Sequence, residues 1–594
     1  MYFKITTSKS NKYLQLVKSY RNQQGNPRQK VIANLGNISS CSEQELLNLC
    51  KSFLRALGVE KIVFLDDLTV EDSYDYGDVL PIISLWQQLK LDAIIQRCVS
   101  KHVQIDVTRA TLLMVCNKFV DPQSKLGAWR WYDRSVLRFS KEFKHLPPGD
   151  KAVLQDLYRS LDYLSDSKAK IEKELYYQLQ AYGLETELVL YDITSSYFEG
   201  EQAELGAYGY SRDHRPDRPQ IVIGVVTSKQ GIPFAHYVFE GNTSDKSTVK
   251  QVLSDLKKRF GITHCVFVGD RGMISRINIE CIKDQEYDFI MGIRRHNSRL
   301  VRELLPFIKE APEAEILEIK PEQLSEEKLR QEFRAQTRFI IGFNPAVQQK
   351  VRQNRNRKLA EFEAFISRLP LEGPLKVVSE NQTKVVKCLI QKKLKRYYTL
   401  SLNPAPETDN SYRLQITPNE EVLNQETLID GHYFIQTEVK ELLLESNEVI
   451  AAYKSLQKVE RMFRVLKNNI ELRPIFVRNE KRIRGHIFIC FLTYLLECLM
   501  EKTLAEYGSE ISLSHIKPVL ARIKLVPVNL SNRITSQNRQ LYFVTNANAE
   551  VQKFFTALKI RNFRHPENIY FDKKLGGTGN FSNQLSLFSL FSMS

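Results

Sequence analysis

The sequence has no cysteines arranged in a metal-binding or redox motif. Its 594 residues include nine cysteines, but no two form a Cys-x-x-Cys pair, and none is grouped with histidine at the spacing of a zinc site. A structural zinc site is therefore not expected, and scattered cysteines fit a reducing compartment inside the cell. The cysteines are Cys41, Cys50, Cys98, Cys116, Cys265, Cys281, Cys388, Cys490 and Cys498.

Long apolar runs are also missing. The N-terminal residues MYFKITTSKSNKYLQL are polar and basic rather than built on an apolar core, which argues against a secretory signal. The most apolar run, residues 487–500, is short for a membrane span and carries Glu497. We therefore expect a buried helix there, no transmembrane segment and a cytoplasmic protein.

Acidic residues are too few to balance the basic ones. The chain has 69 Asp and Glu against 85 Lys and Arg, which gives a formal net charge of +16. Such an excess favours a polyanionic partner, because lysine and arginine neutralise phosphates and release their counterions. Nucleic acid is the expected partner, although charge alone also fits a generally basic soluble protein.

The length predicts several domains. Residues 1 to about 40 alternate like strands around the turn RNQQGNPRQ, which predicts a β-hairpin, and a short helix follows from about Ser42. From Val79 to about Gly183 the apolar residues recur at helical spacing. This helical region is a candidate for binding DNA ends, and equally for bracing the next domain.

A mixed α/β pattern follows. The strands predicted are ELVLYDIT, QIVIGVVTS, IPFAHYVFEG, HCVFVGD and DFIMGIRR, with helices between them. A charged helical stretch and the short alternating runs KVVKCLI and RYYTLSL then predict an inserted α+β or β-rich domain, before a strand at GHYFIQTEV, a long helix over 446–468 and an apolar helix over 481–505. The expected divisions are 1–60, 61–184, 185–297, 298–430 for the insertion, 431–505, and 506–594, which ends in a loose Gly- and Ser-rich tail.

Two of the predicted strands end in aspartate. Asp192 follows the apolar run Leu188 to Tyr191, and Asp270 follows Cys265 to Gly269. Carboxylates at strand ends of an α/β sheet are favoured ligands for hard cations, which prefer oxygen. Each aspartate taken singly is also a common turn former or helix cap.

A third acidic residue lies on the long helix. Tyr453, Glu460 and Lys467 are spaced seven residues apart, so at about 100° per residue they fall almost in one line along the helix. A phenol, a carboxylate and an ammonium group therefore share one face. The same spacing also fits a core-edge tyrosine with a solvated charge pattern.

This helix resembles the Tyr-x2-Arg-x3-Glu-x6-Lys signature of DDE (Asp, Asp, Glu) insertion-sequence transposases of the type-four superfamily. Tyr453, Glu460 and Lys467 match that signature, whereas Leu456 stands where it has arginine. The segments YDITSSYFEG, VGDRGMIS and RPIFVRNEKRIRGHIFICFL are similar to the other family blocks, and they occur in the family's order. The similarity covers about residues 185–300 and 430–500, with LVKSYRNQQGNPRQKVIANLG matching more loosely.

The resemblance implies a ribonuclease H-like catalytic core, interrupted by an insertion before its last acidic helix. It implies two Mg²⁺ or Mn²⁺ ions held by Asp192, Asp270 and Glu460, and phosphodiester hydrolysis at the element ends followed by strand transfer. The partners implied are the terminal inverted repeats and target DNA, bound by a dimer or larger assembly at the nucleoid. The alternatives are another nuclease of the same fold, and a catalytically silent DNA-binding descendant.

Several basic residues are candidates for contact with DNA. The family resemblance implies this role for Tyr453 and Lys467, and position in the sequence suggests it for Arg271 and for the cluster Arg294, Arg295 and His296. A solvated basic loop is an equally good interpretation of these last residues. His486 is better explained as a core residue.

A replacement for the arginine missing at Leu456 is expected nearby. Arg464 lies about 40° from Glu460 around the helix, whereas Arg461 lies about 100° away. Arg464 is therefore the predicted substitute, and its alternative role is a surface ion pair with Glu460.

Overall fold

A computed structural model describes the chain in two compact units. The described residues are 1–57, 68–70, 72–100, 102–140, 143, 145–295, 299–312, 314–405, 411–508, 511–530 and 540–564. The first unit comprises residues 1–73 and 525–544, and the second comprises 74–524 with the segment that follows residue 544. The predicted C-terminal tail lies outside the described residues from position 565 onward.

The first unit begins with an antiparallel sheet of three strands in the order β1-β2-β3. Asn22 shapes the turn between the last two strands, because its side-chain oxygen accepts hydrogen bonds from the backbone of Gln24 and Asn26 at 3.2 and 2.9 Å, and Gly25 adopts a φ of +79°. The predicted hairpin and helix are confirmed, and a further strand precedes them. The elements are β1 (Tyr2–Ser8), β2 (Asn11–Arg21), β3 (Pro27–Asn37) and α1 (Glu43–Ala56).

A second small sheet completes this unit. Its strands are β4 (Leu68–Val70), β17 (Lys524–Leu530) and β18 (Gln540–Val544), in the order β18-β17-β4. Both strand pairs are antiparallel. The chain therefore returns to its N-terminal unit over residues 525–544 and then continues into the second unit.

The second unit opens, after the short strand β5 (Tyr74–Asp75), with the predicted helical region. Its helices are α2 (Val79–Gln88), α3 (Leu91–Cys98), α4 (Val107–Val120), α5 (Lys125–Tyr132) and α6 (Lys151–Ala181). Helices α4 and α6 pack against the late apolar helix α16 (Glu480–Glu506). Gly485 permits the close approach, because a Cβ atom there would lie 2.3 Å from the carbonyl oxygen of Leu161.

Helix α16 is a core helix. It is long and apolar enough to cross a membrane, but 89% of its most apolar window is buried inside the fold. This burial agrees with the prediction of a buried helix.

A buried ion network joins α6 to the neighbouring sheet. The Glu172 carboxylate, which is fully buried, accepts from Lys168 at 2.9 Å, from His236 Nδ1 at 2.7 Å and from Arg259 at 2.5 Å. Burial alone would raise the pKa of Glu172, but Lys168, His236 and Arg259 lower it well below its ordinary range. Burial and the nearby Lys168 lower the pKa of His236 to about 4.

The centre of the second unit is a mixed sheet of eight strands, in the order β11-β12-β16-β10-β9-β6-β7-β8. Strand β9 pairs in parallel with β6 and with β10, and the other pairs are antiparallel. The strands are β6 (Leu188–Tyr197), β7 (Gln220–Ser228), β8 (Pro233–Glu240), β9 (Val266–Gly269), β10 (Asp288–Gly292), β11 (Ile316–Ile319), β12 (Arg338–Phe343) and β16 (His432–Thr437). The helices between them are α7 (Asp245–Lys258), α8 (Arg276–Asp284), α9 (Arg299–Glu310) and α10 (Glu327–Glu332).

The range predicted for the insertion divides in two. Its first part supplies β11 and β12 to the main sheet, and its second part has an apolar core of its own around Phe362, Val385 and Leu389. The run KVVKCLI, predicted as a strand, lies in a helix, because its apolar residues pack at helical spacing, whereas RYYTLSL contains the predicted strand. The elements of the second part are α11 (Pro345–Ile366), β13 (Glu372–Pro374), α12 (Leu375–Lys392), β14 (Tyr398–Pro404), β15 (Ser411–Pro418) and α13 (Glu420–Ile429).

The long helix predicted over 446–468 is two helices. They are α14 (Ser446–Lys454) and α15 (Leu456–Asn468), and Ser455 lies between them, so Tyr453 is on a different helix from Glu460 and Lys467. The Ser455 hydroxyl donates to the carbonyl oxygen of Ala451 at 3.0 Å, a bond to the preceding turn that commonly bends helices. Helices α17 (Leu513–Leu520) and α18 (Ala549–Ala557) follow α16.

Candidate active site

The two predicted aspartates lie side by side, although Asp192 does not end its strand as predicted: β6 continues past it to Tyr197, whereas Asp270 directly follows the last residue of β9. Strands β6 and β9 are parallel, and their register sets Tyr191 opposite Gly269, so the next residues along the strands are Asp192 and Asp270. Asp192 follows a fully buried tyrosine, and its Oδ1 accepts the backbone N–H of Ile193 at 2.7 Å. The structure therefore brings the two predicted carboxylates together on neighbouring strands.

Glu460 reaches the same place from helix α15. A cavity of about 230 Å³ is lined by all three carboxylates. Burial raises the pKa of Asp192 to about 7, the Ile193 N–H opposes that shift, and the negative charges of Asp270 and Glu460 add to it. The three predicted acids thus face one another across a single cavity.

The chemistry of these donors fits a hard divalent cation. All three offer carboxylate oxygens, the ligand type that Mg²⁺ and Mn²⁺ prefer. A cation between them would offset both the burial and the repulsion that raise the pKa of Asp192. Among the described residues, no three Asp, Glu, His or Cys side chains are already drawn together as a closed metal-binding group.

Tyr453 lies against Asp270. Its hydroxyl donates to Asp270 Oδ1 at 3.3 Å, and burial followed by the charge of Asp270 raises the pKa of the phenol. Glycine at position 292 makes room for the ring, because a Cβ atom there would lie 2.2 Å from the Tyr453 hydroxyl oxygen. The phenol therefore stays protonated and acts as a hydrogen-bond donor at the cavity wall.

Comparison with known families decides the identity. A family model described as the transposase DDE domain matches residues 183–496, more than half of the chain, and the N-terminal domain of IS1634 family transposases matches residues 3–58. The chain belongs to the DDE transposase family. It is an insertion-sequence DNA transposase, an enzyme that cleaves DNA and transfers strands, and members of this family use divalent metal ions.

Other comparisons add little to the family assignment. A cryo-EM structure of the piggyBac transposase synaptic complex with hairpin DNA is 9% identical, with a TM-score of 0.35, over 86% of this chain and 89% of that one. A similarity at that TM-score carries no argument. No curated protein matches the sequence.

Lys467 of the transposase is held by an acid that sequence reasoning missed. Its ammonium group donates to Asp213 Oδ1 at 2.8 Å, and Arg473 contacts the same oxygen at 2.8 Å. Burial lowers the pKa of Lys467, and Asp213 opposes that shift. No spacing in the sequence links position 213 to position 467, because the contact joins a loop to a distant helix.

The other predicted basic residues lie in two different environments, the carboxylate cavity and the exposed surface. Arg295 lines the carboxylate cavity, and burial followed by the charge of Arg271 lowers its pKa. Arg271 and Arg294 are exposed, and Arg294 Nε donates to the Arg271 carbonyl oxygen at 3.4 Å. His296 lies outside the described residues.

The two arginines of α15 differ in their contacts. Arg461 forms an ion pair with Glu501 at 2.9 Å. Arg464 is exposed, and it makes no ion pair with Glu460 or any other described residue. Leu456, at the position of the signature arginine, is buried at 7% exposure and lines the cavity.

Sequence reasoning also missed the wall opposite the carboxylates. Asn344, Gly431 and Tyr433 line the cavity from the root of the insertion. Gly342 faces the Tyr433 ring, where a Cβ atom would lie 2.2 Å from the ring. A pairing of glycine with tyrosine on neighbouring strands is not a signal that a single sequence displays.

Proposed function

We propose that Asp192, Asp270 and Glu460 form the catalytic site, where they hold two Mg²⁺ or Mn²⁺ ions. The observation that carries the proposal is the parallel register of β6 and β9, which sets the two aspartates side by side, facing Glu460 across one cavity. When bound, the ions would supply activation of the attacking oxygen and stabilisation of the leaving oxygen. The raised pKa of Asp192 fits a carboxylate built for a cation.

The reaction proposed is hydrolysis at the element ends, followed by attack of the freed 3′-hydroxyl on target DNA. In this reaction the protein's own side chains orient the scissile phosphate and keep it from binding in other positions. Tyr453 fixes Asp270 through its hydrogen bond and presents its phenol to the cavity. Arg295 lines the same cavity and has a lowered pKa because it is partly buried and lies near the charge of Arg271, so a bound phosphate would offset its own charge.

We assign further contacts with the DNA backbone to Arg271, Arg294, Arg464 and Lys467. Arg464 is exposed on helix α15, which also carries Glu460, and Arg294 is exposed in the segment that follows β10. Lys467 reaches DNA only after it leaves Asp213, because both side chains are mostly buried in their ion pair. The partners proposed are the terminal inverted repeats and target DNA, bound by a dimer or larger assembly.

The proposed fold of the catalytic core is ribonuclease H-like. What supports it is the strand order β8-β7-β6-β9-β10, with three antiparallel strands followed by two parallel additions. The proposed divisions of the chain remain an N-terminal region, a helical region that binds element ends or braces the core, and a core interrupted by an insertion.

Substitution of each carboxylate tests the site. Asp192→Asn, Asp270→Asn and Glu460→Gln should each abolish cleavage of an inverted-repeat substrate in Mg²⁺ or Mn²⁺, while binding of that DNA in a chelator stays close to the wild-type level. Glu506→Gln, an exposed acid on α16, is the matched control and should cut normally. Cleavage near the wild-type rate by any of the three variants would remove that residue from the site.

A further inference from the structure

A second groove lies beside the carboxylate cavity. Its volume is about 430 Å³, and its lining includes Tyr210, Arg212, Lys246, Gly272 and Arg294. We call it the flanking groove. Tyr210, the aromatic residue in this lining, is not part of the Tyr453, Glu460 and Lys467 signature.

The two cavities meet at two short backbone segments. Asp270 lines the carboxylate cavity and Gly272, two residues later, lines the flanking groove. In the same way Arg295 faces the carboxylates while its neighbour Arg294 faces the groove. A DNA strand whose scissile phosphate lies at the carboxylates is therefore within reach of the groove.

The loop that carries Tyr210 is firmly anchored. Ala207 and Gln220 exchange backbone hydrogen bonds of 3.1 and 3.0 Å, and the Gln220 side chain donates to the Gly209 carbonyl oxygen at 2.6 Å. Gly209 packs so closely that a Cβ atom there would lie 2.1 Å from the carbonyl oxygen of Gly241. The position of the loop is thus set by contacts with β7 and the segment after β8.

Two more contacts tie the loop to the catalytic elements. The backbone N–H of Arg212 donates to the Ser195 hydroxyl, on the strand of Asp192, at 2.9 Å. Asp213 holds Lys467 of helix α15. The loop is therefore fixed to the strand and the helix that supply two of the three carboxylates.

Despite these anchors, the loop leaves two aromatic rings in solvent. Tyr210 is 80% exposed and Tyr208 is 61% exposed. The Arg212 guanidinium lies 5.8 Å from the centre of the Tyr210 ring, and its bonds to both Asp245 oxygens, at 2.9 Å each, fix it there. A large ring held outward on an ordered support is a ready surface for stacking.

The charge of the groove suits a nucleic acid strand. Asp245 is the one acid among its described lining residues, and Arg212 neutralises it. Lys246 is exposed and pairs with no described acid, and the terminal nitrogens of Arg294 are likewise unpaired. A positive groove with an exposed aromatic ring is the combination that binds unpaired nucleotides, since bases stack on the ring and phosphates contact the cations.

We propose that the flanking groove binds unpaired nucleotides of the DNA strand adjoining the scissile phosphate, with a base stacked on Tyr210 and phosphates at Lys246 and Arg294. This assignment rests on the proposed carboxylate site for the position of the scissile phosphate. It adds a subsite that orients the strand on one side of the cut. Binding measured in a chelator, where no cleavage occurs, tests it separately from catalysis.

The test compares two DNA probes and three variants of the full chain. One probe is an inverted-repeat duplex with a short single-stranded extension at the cut, which carries an unpaired 2-aminopurine, and the other is the blunt duplex. Tyr210→Ala should weaken binding of the extended probe by at least about tenfold and of the blunt probe by much less. Tyr210→Phe keeps the ring and should bind both as the wild type does, as should Tyr507→Ala, a control at another exposed tyrosine.

Quenching of the 2-aminopurine reports the stacking directly. The wild type and Tyr210→Phe should quench its fluorescence, and Tyr210→Ala should not. The proposal is overturned if Tyr210→Ala binds the extended probe and quenches its fluorescence as the wild type does. It is also overturned if Tyr210→Ala loses affinity equally for the extended and the blunt probe. If Tyr210→Ala fails to fold, Lys246→Ala with Arg294→Ala replaces it, and an unchanged salt dependence for the extended probe then overturns the proposal.

Discussion

Replacement of Arg464 by alanine is the sharpest test of how helix α15 serves the reaction. The side chain is exposed, lies on the same face of the helix as Glu460, and pairs with no described acid. A surface arginine without a partner contributes little to stability. Any large effect of Arg464→Ala must therefore come from its contact with DNA.

The size of the effect follows from the helix geometry. Arg464 lies one turn beyond Glu460, a rise of about 6 Å along the axis. For a phosphate bound at Glu460 and the Arg464 guanidinium, two unit charges at roughly that separation attract each other by about 0.7 kcal/mol in water and by about 3 kcal/mol at an effective dielectric constant of about 20. An exposed side chain near a bound phosphate falls between these limits, so we expect a barrier increase of about 1.4 kcal/mol, which is tenfold in rate.

The assay is single-turnover cleavage of an inverted-repeat duplex, with thermal unfolding measured in parallel. Arg464→Ala should cut about tenfold more slowly with an unchanged melting temperature. Arg461→Ala is the matched control, because Arg461 forms its ion pair with Glu501 and should affect stability by less than about 1 kcal/mol and cleavage hardly at all. Normal cleavage by Arg464→Ala together with slow cleavage by Arg461→Ala would refute the helical-face argument.

Other predictions concern the fold and the charge. In a urea titration, Glu172→Gln should lower the free energy of unfolding by about 3–5 kcal/mol, because it leaves the buried cations Lys168 and Arg259 without their anion. The control Glu174→Gln, which removes an exposed ion pair with Arg97, should lower it by less than about 1 kcal/mol. The folded pKa of His236 is about 4, below its ordinary value of 6.5. Its contribution to stability is therefore present above pH 6.5 and is lost as the pH falls to about 4. In His236→Gln the urea midpoint should change less with pH over that range. Gly485→Val should destabilise by at least about 1–3 kcal/mol in that titration, because its side chain would overlap the backbone of Leu161. DNA affinity should fall steeply with salt in a filter-binding series, and a flat response would contradict the argument from net charge.

The sequence predicts the α/β core well where its patterns are local. The apolar runs before Asp192 and Asp270 both form strands as expected, but the first strand continues past Asp192 to Tyr197 instead of ending there. Their adjacency does not follow from these local patterns, because it depends on the parallel pairing of β6 with β9. The family signature then supplied Glu460, which no local pattern distinguishes from a solvated helix residue.

The errors arise where tertiary contacts override local patterns. KVVKCLI reads as an alternating strand, yet it packs Val385 and Leu389 into the core of the insertion as part of α12. The single long helix is interrupted because the Ser455 hydroxyl bonds to the preceding turn. The pair of Lys467 with Asp213 spans more than 250 positions, so a single sequence contains no trace of it.

The root of the insertion explains how a large extra segment leaves the carboxylates in place. The chain leaves the sheet after β12 and returns at β16, and these strands are antiparallel neighbours with Phe343 opposite His432. Beyond that pair, the backbone N–H of Asn344 donates to the Gly431 carbonyl oxygen at 3.0 Å. Because exit and return are bonded together, the inserted segment can vary in length without moving β16 or the helices that carry Glu460. Asn344 and Gly431 also line the catalytic cavity, so the root of the insertion is itself part of the cavity wall.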